Sequence, residues 1–355
     1  MGKINKSIRI ITFHSAYSYG AVLQTFALWK YLDGIYSDVK VVDFAPPTFS
    51  LKFNRKRPIT WIKTWRFRFR NKIAKTKPYT ADGLRKTSPQ ADVYIIGSDQ
   101  VWNPEITGIY KDIYFGDFIP RDCEKISYAS SWGKEDFSEQ TLKEIAPLFH
   151  DFKAVSVREE SGVKLCREVA GVDALCVLDP TLLIEDYTPY FRKTRLKKEL
   201  CLFVLDNDKE DCFDTSRFVA NELGLKPKVL NKARKLEGFK NIPFPSIPAF
   251  LREIHNSEFV ITNSFHGLAF SIIFNKQFAF VCTNKGNSTR IKNLLSKTGL
   301  TRRMFDSYEA LERSRIWEEP IDYSEVNRRL NTLRTESKNY LTENINQPSQ
   351  SDDLI

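Results

Sequence analysis

The sequence has no run of about 18 apolar residues, the length a helix needs to cross a bilayer, so no membrane-spanning helix is expected. A secretory leader is not expected either: the opening MGKINKSIRIITF holds only a short apolar run, and Arg9 interrupts it. The cytoplasm is the expected location. Cysteine is sparse, and Cys123, Cys166, Cys176, Cys201, Cys212 and Cys282 form no C-x-x-C pair. Several sit in apolar runs, which predicts buried thiols in a reducing compartment and neither disulfides nor zinc ligands. The glycine patterns G-x-G-x-x-G and G-x-x-x-x-G-K-[ST] are missing, and with them the usual dinucleotide and nucleotide-triphosphate fingerprints. Zinc-finger spacing and ribonucleoprotein signatures are also missing, so nucleic acid is not the expected partner. The net charge of +10 then points to another anion, a phosphorylated metabolite or a membrane surface.

What is present is an alternation. At 355 residues, two domains are expected rather than one core. IRIITF (8–13), VKVVDF (39–44), ADVYIIGSD (91–99), KISYASS (125–131) and AVSVRE (154–159) read as strands, with helical patterns at 20–33, 138–150 and 160–169. In the first helix Val22, Phe26 and Trp29 give one apolar face. A second series runs through ELCLFVLD (199–206), KPKVLN (226–231), FVITNS (259–264) and FAFVCT (278–283). Strands alternating with helices predict parallel sheets covered on both sides. The fold class is therefore α/β, with two doubly wound Rossmann-like domains facing a cleft. The expected domains are 1–185 and 199–320, bridged by 179–199, with a C-terminal helix and tail at 321–355. Asp322 and Glu325 resemble a capping box before a polar helix, and INQPSQSDDLI reads as a frayed tail. One segment, 53–78, is basic and aromatic. Trp61, Trp65, Phe69 and Ile73 recur every four residues in it, with Lys63 and Arg70 turned away, which predicts a basic amphipathic helix. Packing of that stripe on the protein body is the alternative.

In open parallel sheets ligands bind beyond the carboxyl ends of strands, so polar residues there come first. The opening loop offers His14, Ser18 and Gly20 before a helix whose free amides suit an anion. GSDQVWNP (97–104) presents Ser98, Asp99, Gln100 and Trp102; SVREESG (156–162) places Arg158 at a strand end. TNSFHGLAFS (262–271) sets Asn263, Ser264 and His266 before an apolar helix, and TNKGNSTRIKNLL (283–295) offers Arg290. Each has a plainer reading: a histidine that only caps a helix, an Asx-turn at Asp99, a surface ion pair at Arg158. Together they describe a two-domain transferase using a phosphorylated donor.

These stretches resemble the polysaccharide pyruvyl transferase family. FHSAYSYGAVLQTFAL, VYIIGSDQVWNP, KISYASSWG, SVREESG, VLDPTLL, ITNSFHGLAFSIIFNKQF and NSTRIKNLL occur in order across residues 13–295. The resemblance implies a fold similar to two-domain GT-B glycosyltransferases. It also implies transfer of a pyruvyl group from phosphoenolpyruvate to two hydroxyls of a sugar, forming a ketal, with no metal or redox cofactor. The acceptor would be a surface polysaccharide sugar or its lipid-diphosphate-linked precursor, held at the cytoplasmic membrane face; by its charge and spacing alone, 53–78 would contact anionic lipid there or form a lid over the acceptor site. Arg158 matches the arginine of the family's S-V-R motif and would bind donor anion. His266 matches the second-domain histidine and would be the acid; Gly20 matches the glycine turn near donor phosphate or acceptor. Asp99 would be an acceptor contact or base, with His14, Ser98 and Asn263 lining the substrate. Many members carry arginine two residues before the histidine, where this chain has Ser264, and Arg290 is the candidate replacement. The competing readings are a GT-B glycosyltransferase using a nucleotide sugar and a non-catalytic glycan- or membrane-binding relative.

Overall fold

The computed structural model describes residues 2–16, 18–46, 58–205, 210–282 and 288–347, with the backbone alone at 58–61. It divides into two compact units: Met1–Arg57, Arg68–Ile184 and Thr332–Ile355 form the first, Pro58–Phe67 and Glu185–Asn331 the second. The first holds seven strands, β1 (Ile4–Ile11), β2 (Tyr36–Phe44), β3 (Lys75–Tyr79), β4 (Val93–Ile96), β5 (Glu124–Ser127), β6 (Phe152–Val157) and β7 (Ala174–Cys176). They pair in parallel in the order β3-β2-β1-β4-β5-β6-β7. The second unit holds β8 (Glu199–Phe203), β9 (Lys226–Leu230), β10 (Lys240–Ile242), β11 (Phe259–Thr262), β12 (Gln277–Val281) and β13 (Met304–Phe305), also parallel, in the order β10-β9-β8-β11-β12-β13. The helices used below are α1 (Tyr19–Asp33), α2 (Pro58–Arg70), α3 (Glu160–Ala170), α4 (Phe265–Ile273), α5 (Thr289–Thr298) and α6 (Tyr323–Asn346). Each sheet is doubly wound: the chain builds outward to one edge, then returns to the other side of its first strand. The order therefore reverses between β1 and β4 and again between β8 and β11, the positions where such sheets open a crevice at their carboxyl ends.

The apolar strand runs behave as their residues dictate. Ile8, Ile10 and Ile95 are fully buried, as are Leu200, Val260 and Ile261 of the second sheet, because both faces of a parallel sheet are covered. α1 departs from the one-faced helix expected. It is buried continuously from Tyr19 to Trp29, Gln24 and Thr25 included, so its apolar character runs all round and its few polar groups need partners inside. Trp102 also departs from expectation. Instead of being presented by its turn it is fully buried, stacked on Phe115 at 5.1 Å and edge-on to Phe149 at 5.0 Å.

The 53–78 segment is not one helix. Residues 53–57 lie outside the described residues; α2 ends at Arg70, and Lys72, at φ 52°, turns the chain out of the helix. Lys75–Tyr79 then forms the edge strand β3 on β2, so Ile73 does not continue the stripe. Edge strands rich in lysine, with Pro78 among them, resist pairing with a further strand. α6 is less polar in practice than its composition. Asp322 caps its start by accepting from the Ser324 amide at 2.9 Å, while Glu325 is drawn to Arg328 and Arg329 and not back to the cap. From Thr332 on, α6 belongs to the first unit. There Arg334 Nε donates to the Leu182 carbonyl at 2.6 Å, Ser337 Oγ accepts from the Leu178 amide and Tyr340 donates to the Ser127 carbonyl. Ile345, assigned to the tail by its sequence, is buried in this helix; residues 348–355 lie outside the described residues.

Candidate active site

In the first unit the strand order reverses around a closed polar triangle. Thr12, just past β1, donates from Oγ1 to the Ser98 carbonyl at 2.9 Å and accepts from Gln24 Nε2 at 2.9 Å. Ser98 Oγ in turn donates to Gln24 Oε1 at 2.6 Å. All three are buried, so Ser98 holds the end of β4 to β1 and α1. Gln24 was not marked as a candidate by the sequence; the only signal was a polar residue amid an apolar helix. The turn at Gly97 admits no side chain. Its φ is 116°, and a Cβ there would lie 2.3 Å from the Tyr128 carbonyl oxygen, a backbone conformation open to glycine alone. Asp99 follows, accepting from the Gln100 amide on Oδ1 at 2.9 Å, while its carbonyl accepts from the Ser131 amide at 2.9 Å. Gly20 is the second residue of α1, and Ser18 is the cap, accepting from the Ala21 amide at 3.1 Å.

Beyond β5 and β6 lies a group of buried charges. Arg158 Nη2 stands 3.2 Å from Asp179 Oδ2, with both side chains out of solvent, so it is not the surface pair of the plainer reading. Asp179 also accepts from the Thr181 amide and hydroxyl. Glu159, on the opposite side of the chain from Arg158, accepts from Ser131 Oγ at 3.0 Å and the Trp132 amide at 2.9 Å. The Arg158 amide donates to the Ser130 carbonyl, and Ser130 bridges Asp99 to Val157. Ser98, Asp99 and Arg158 thus lie on one laced edge of the sheet. Glu159 and Asp179 had no signal beyond being acidic residues near candidate motifs.

His14 belongs to the other flank. Its Nε2 lies 3.1 Å from the Phe44 carbonyl and 3.5 Å from Asp43 Oδ1. Burial depresses its pKa to about 3, outweighing the attraction of Asp43, so the ring is neutral near pH 7, donates to Phe44 and brings no positive charge to an anion. Its pKa in the unfolded chain is about 6.5. Between these values the unfolded chain binds the extra proton, so the stability is full above pH 6.5 and falls as pH drops toward 3. The expected slope is about 1.4 kcal/mol per pH unit at its steepest. Denaturant melts across this window should show a shallower loss in His14→Gln; an unchanged pH dependence would remove His14 as the cause.

The second unit repeats the pattern at β8 and β11. Asn263 clamps the end of β8, accepting from the Leu205 amide on Oδ1 at 2.6 Å and donating to its carbonyl from Nδ2 at 2.9 Å. Thr262 Oγ1 donates to the Phe203 carbonyl at 2.6 Å. Ser264 caps α4, accepting from the Gly267 amide at 3.4 Å, a role that explains a hydroxyl residue there. Gly267 is needed because a Cβ would sit 2.3 Å from Thr262 Oγ1. Half-buried His266 stands at the first turn of α4, its ring 5.2 Å from and edge-on to Phe265. On the same Phe265 ring, at 5.9 Å, lies the guanidinium of buried Arg290, at the start of α5. The structure therefore brings Arg290 and His266 onto one aromatic residue beside Ser264. Residues 283–287, the start of the fifth candidate stretch, lie outside the described residues.

A cavity of about 800 Å³ in the first unit lies elsewhere, around Glu124, Lys125, Phe152 and Lys153. These begin β5 and β6, so it opens at the amino edge, away from the strand ends described above.

The fold is shared with known structures. UDP-N-acetylglucosamine 2-epimerase from Rickettsia bellii aligns over 96% of this chain and 98% of its own at a TM-score of 0.53 and 10% identity. The S. aureus MnaA–UDP co-structure gives 0.57 over 98% and 99% at 11% identity, and the spinosyn forosaminyltransferase SpnP 0.54 over 97% and 100% at 8%. At such identities the likeness concerns the fold alone, that of two Rossmann-like domains of the GT-B type. Curated protein sequences give no match. The polysaccharide pyruvyl transferase family model nevertheless matches residues 19–285, most of the chain, and the chain belongs to that family.

Proposed function

We propose that the protein moves a pyruvyl group from phosphoenolpyruvate to two hydroxyls of a sugar in a surface polysaccharide or its lipid-diphosphate-linked precursor, at the cytoplasmic face of the membrane. The observation that carries this reading is the family match over residues 19–285, which takes in the turn at Gly97, Arg158 and the His266 motif. The chemistry suits the residue types. A proton added to the methylene carbon of phosphoenolpyruvate makes the central carbon electrophilic, and a sugar hydroxyl adds there and loses its proton. The second hydroxyl displaces phosphate, which leaves with the oxygen it came with, and the ketal closes as that hydroxyl also loses its proton. Histidine is suited to giving and taking these protons near neutral pH, and His266 is assigned the first transfer. Asp99 is assigned an acceptor hydroxyl. Arginine forks match both the carboxylate and the phosphate of the donor, and Arg158 and Arg290 are assigned to them. Support for Arg290 in place of the family's missing arginine comes from its position on Phe265, beside Ser264 and His266.

The second reading, a GT-B glycosyltransferase using a nucleotide sugar, is favoured by the fold likeness to SpnP and to a structure holding UDP. Titration calorimetry separates them. Phosphoenolpyruvate should bind and UDP should not, and Arg290→Ala should weaken the phosphoenolpyruvate isotherm at least tenfold, about 1.4 kcal/mol. Binding of UDP with no heat from phosphoenolpyruvate would replace the first reading with the second.

A further inference from the structure

Between Asp43 and Asp82 the sequence holds no carboxylate side chain, while lysine and arginine recur throughout. α2 lies in this stretch and packs by a side other than its aromatic stripe. Thr64 and Phe67 are turned inward, Phe67 only 3% exposed, whereas Ile62 (47%), Trp65 (49%) and Phe69 (70%) face solvent. Spaced by three and then four residues, these three share one side of the helix. Exposed Arg66 and Arg70 flank them, and exposed Lys72 follows at the helix end. Arg68 is directed elsewhere, donating to the Ala16 carbonyl at 3.1 Å. An outward ridge of one aliphatic and two aromatic side chains, on a segment that carries bases and no acids, is uncommon on a surface that meets only water.

We infer that α2 docks on an anionic bilayer, with Ile62, Trp65 and Phe69 entering the headgroup–acyl boundary and Arg66, Arg70 and Lys72 on lipid phosphates. Tryptophan at such a depth keeps its ring in apolar surroundings and its N–H in reach of water. A nucleic acid would engage the bases but leave Ile62 and Phe69 in water. The inference draws its biological sense from the reading of a lipid-linked acceptor, yet the binding itself needs no substrate.

Co-sedimentation of the full chain with vesicles tests it. Vesicles of equal parts phosphatidylcholine and phosphatidylglycerol should carry the protein down, phosphatidylcholine alone should not, and added salt should release it. Trp65→Ala and Phe69→Ala should each weaken binding about tenfold or more, from the apolar area kept in water. Arg66→Gln and Arg70→Gln should each cost about fivefold, the share of one basic residue near an anionic surface. Each variant should keep the folded circular dichroism spectrum, and transfer to a soluble sugar acceptor should stay unchanged. Equal binding to neutral vesicles, no sedimentation at all, or full binding by Trp65→Ala/Phe69→Ala overturns the inference. So does loss of transfer to the soluble acceptor without any vesicle binding, which would make α2 a lid. Vesicle binding as described, in a protein that does not transfer pyruvyl groups, supports the docking surface and counts against the proposed reaction alone.

Discussion

His266→Gln is expected to lower turnover by about 10²–10⁴-fold, the usual contribution of a positioned general acid, and to change phosphoenolpyruvate affinity far less. The expectation follows from where the residue stands. His266 is at the first turn of α4, half-buried and edge-on to Phe265, the ring on which the Arg290 guanidinium also lies. Glutamine keeps the length and a hydrogen-bonding end but cannot deliver a proton at neutral pH. α4 keeps its cap, Ser264, and its close approach at Gly267, so the variant should fold. Single-turnover phosphate release, read beside calorimetry of the donor, separates chemistry from binding. Near-normal release would make His266 structural, and a loss confined to affinity would make it a binding group.

Why the fold was readable, and where it was not, comes down to burial. β4, β8, β11 and β12 lie inside their sheets, buried along nearly their whole length, and so appear as apolar runs. β3, β7, β10 and β13 are two to five residues long and lie at the sheet edges. KTKPY and KNI carry lysine because an edge strand has one side in water, and no local pattern distinguishes them from loop. The helix at 53–78 was drawn too long, since α2 ends at Arg70 and the edge strand β3 follows. Spacing located a helix and its aromatic residues, but which aromatic faces inward was decided by packing, which chose Phe67 over Trp65 and Phe69. α6 looked polar because Arg334, Ser337 and Tyr340, three of its buried residues, have polar ends whose partners are 152 to 213 residues away in sequence.

The candidate site divides similarly. Polar residues ending apolar runs marked Ser98, Asp99, Arg158, Asn263 and His266, because strand ends are local features. Their partners were hidden. Gln24 read as part of a helix, Glu159 as one of two surface acids, and Asp179 as the start of a linker, yet each is a buried acceptor for a group far along the chain.

Arg158→Ala should have two effects that a double variant separates. Its pair with Asp179, at 3.2 Å, has side chains 2% and 0% exposed. Removing the guanidinium leaves a carboxylate buried without its counter-charge, and the expected loss of stability is about 3–5 kcal/mol. That loss alone would depress any binding measurement and says nothing about the donor. Adding Asp179→Asn removes the stranded charge while keeping an acceptor oxygen for Thr181, so denaturant melts of Arg158→Ala/Asp179→Asn should recover most of the stability. Donor binding should not recover with it. If Arg158 meets the carboxylate or phosphate of phosphoenolpyruvate, the refolded double variant should still bind about 2–5 kcal/mol more weakly, the range for truncating one partner of a desolvated charge pair. Wild-type donor affinity in the stable double variant would confine Arg158 to holding the segment after β7 against the end of β6. Donor charge would then rest on Arg290.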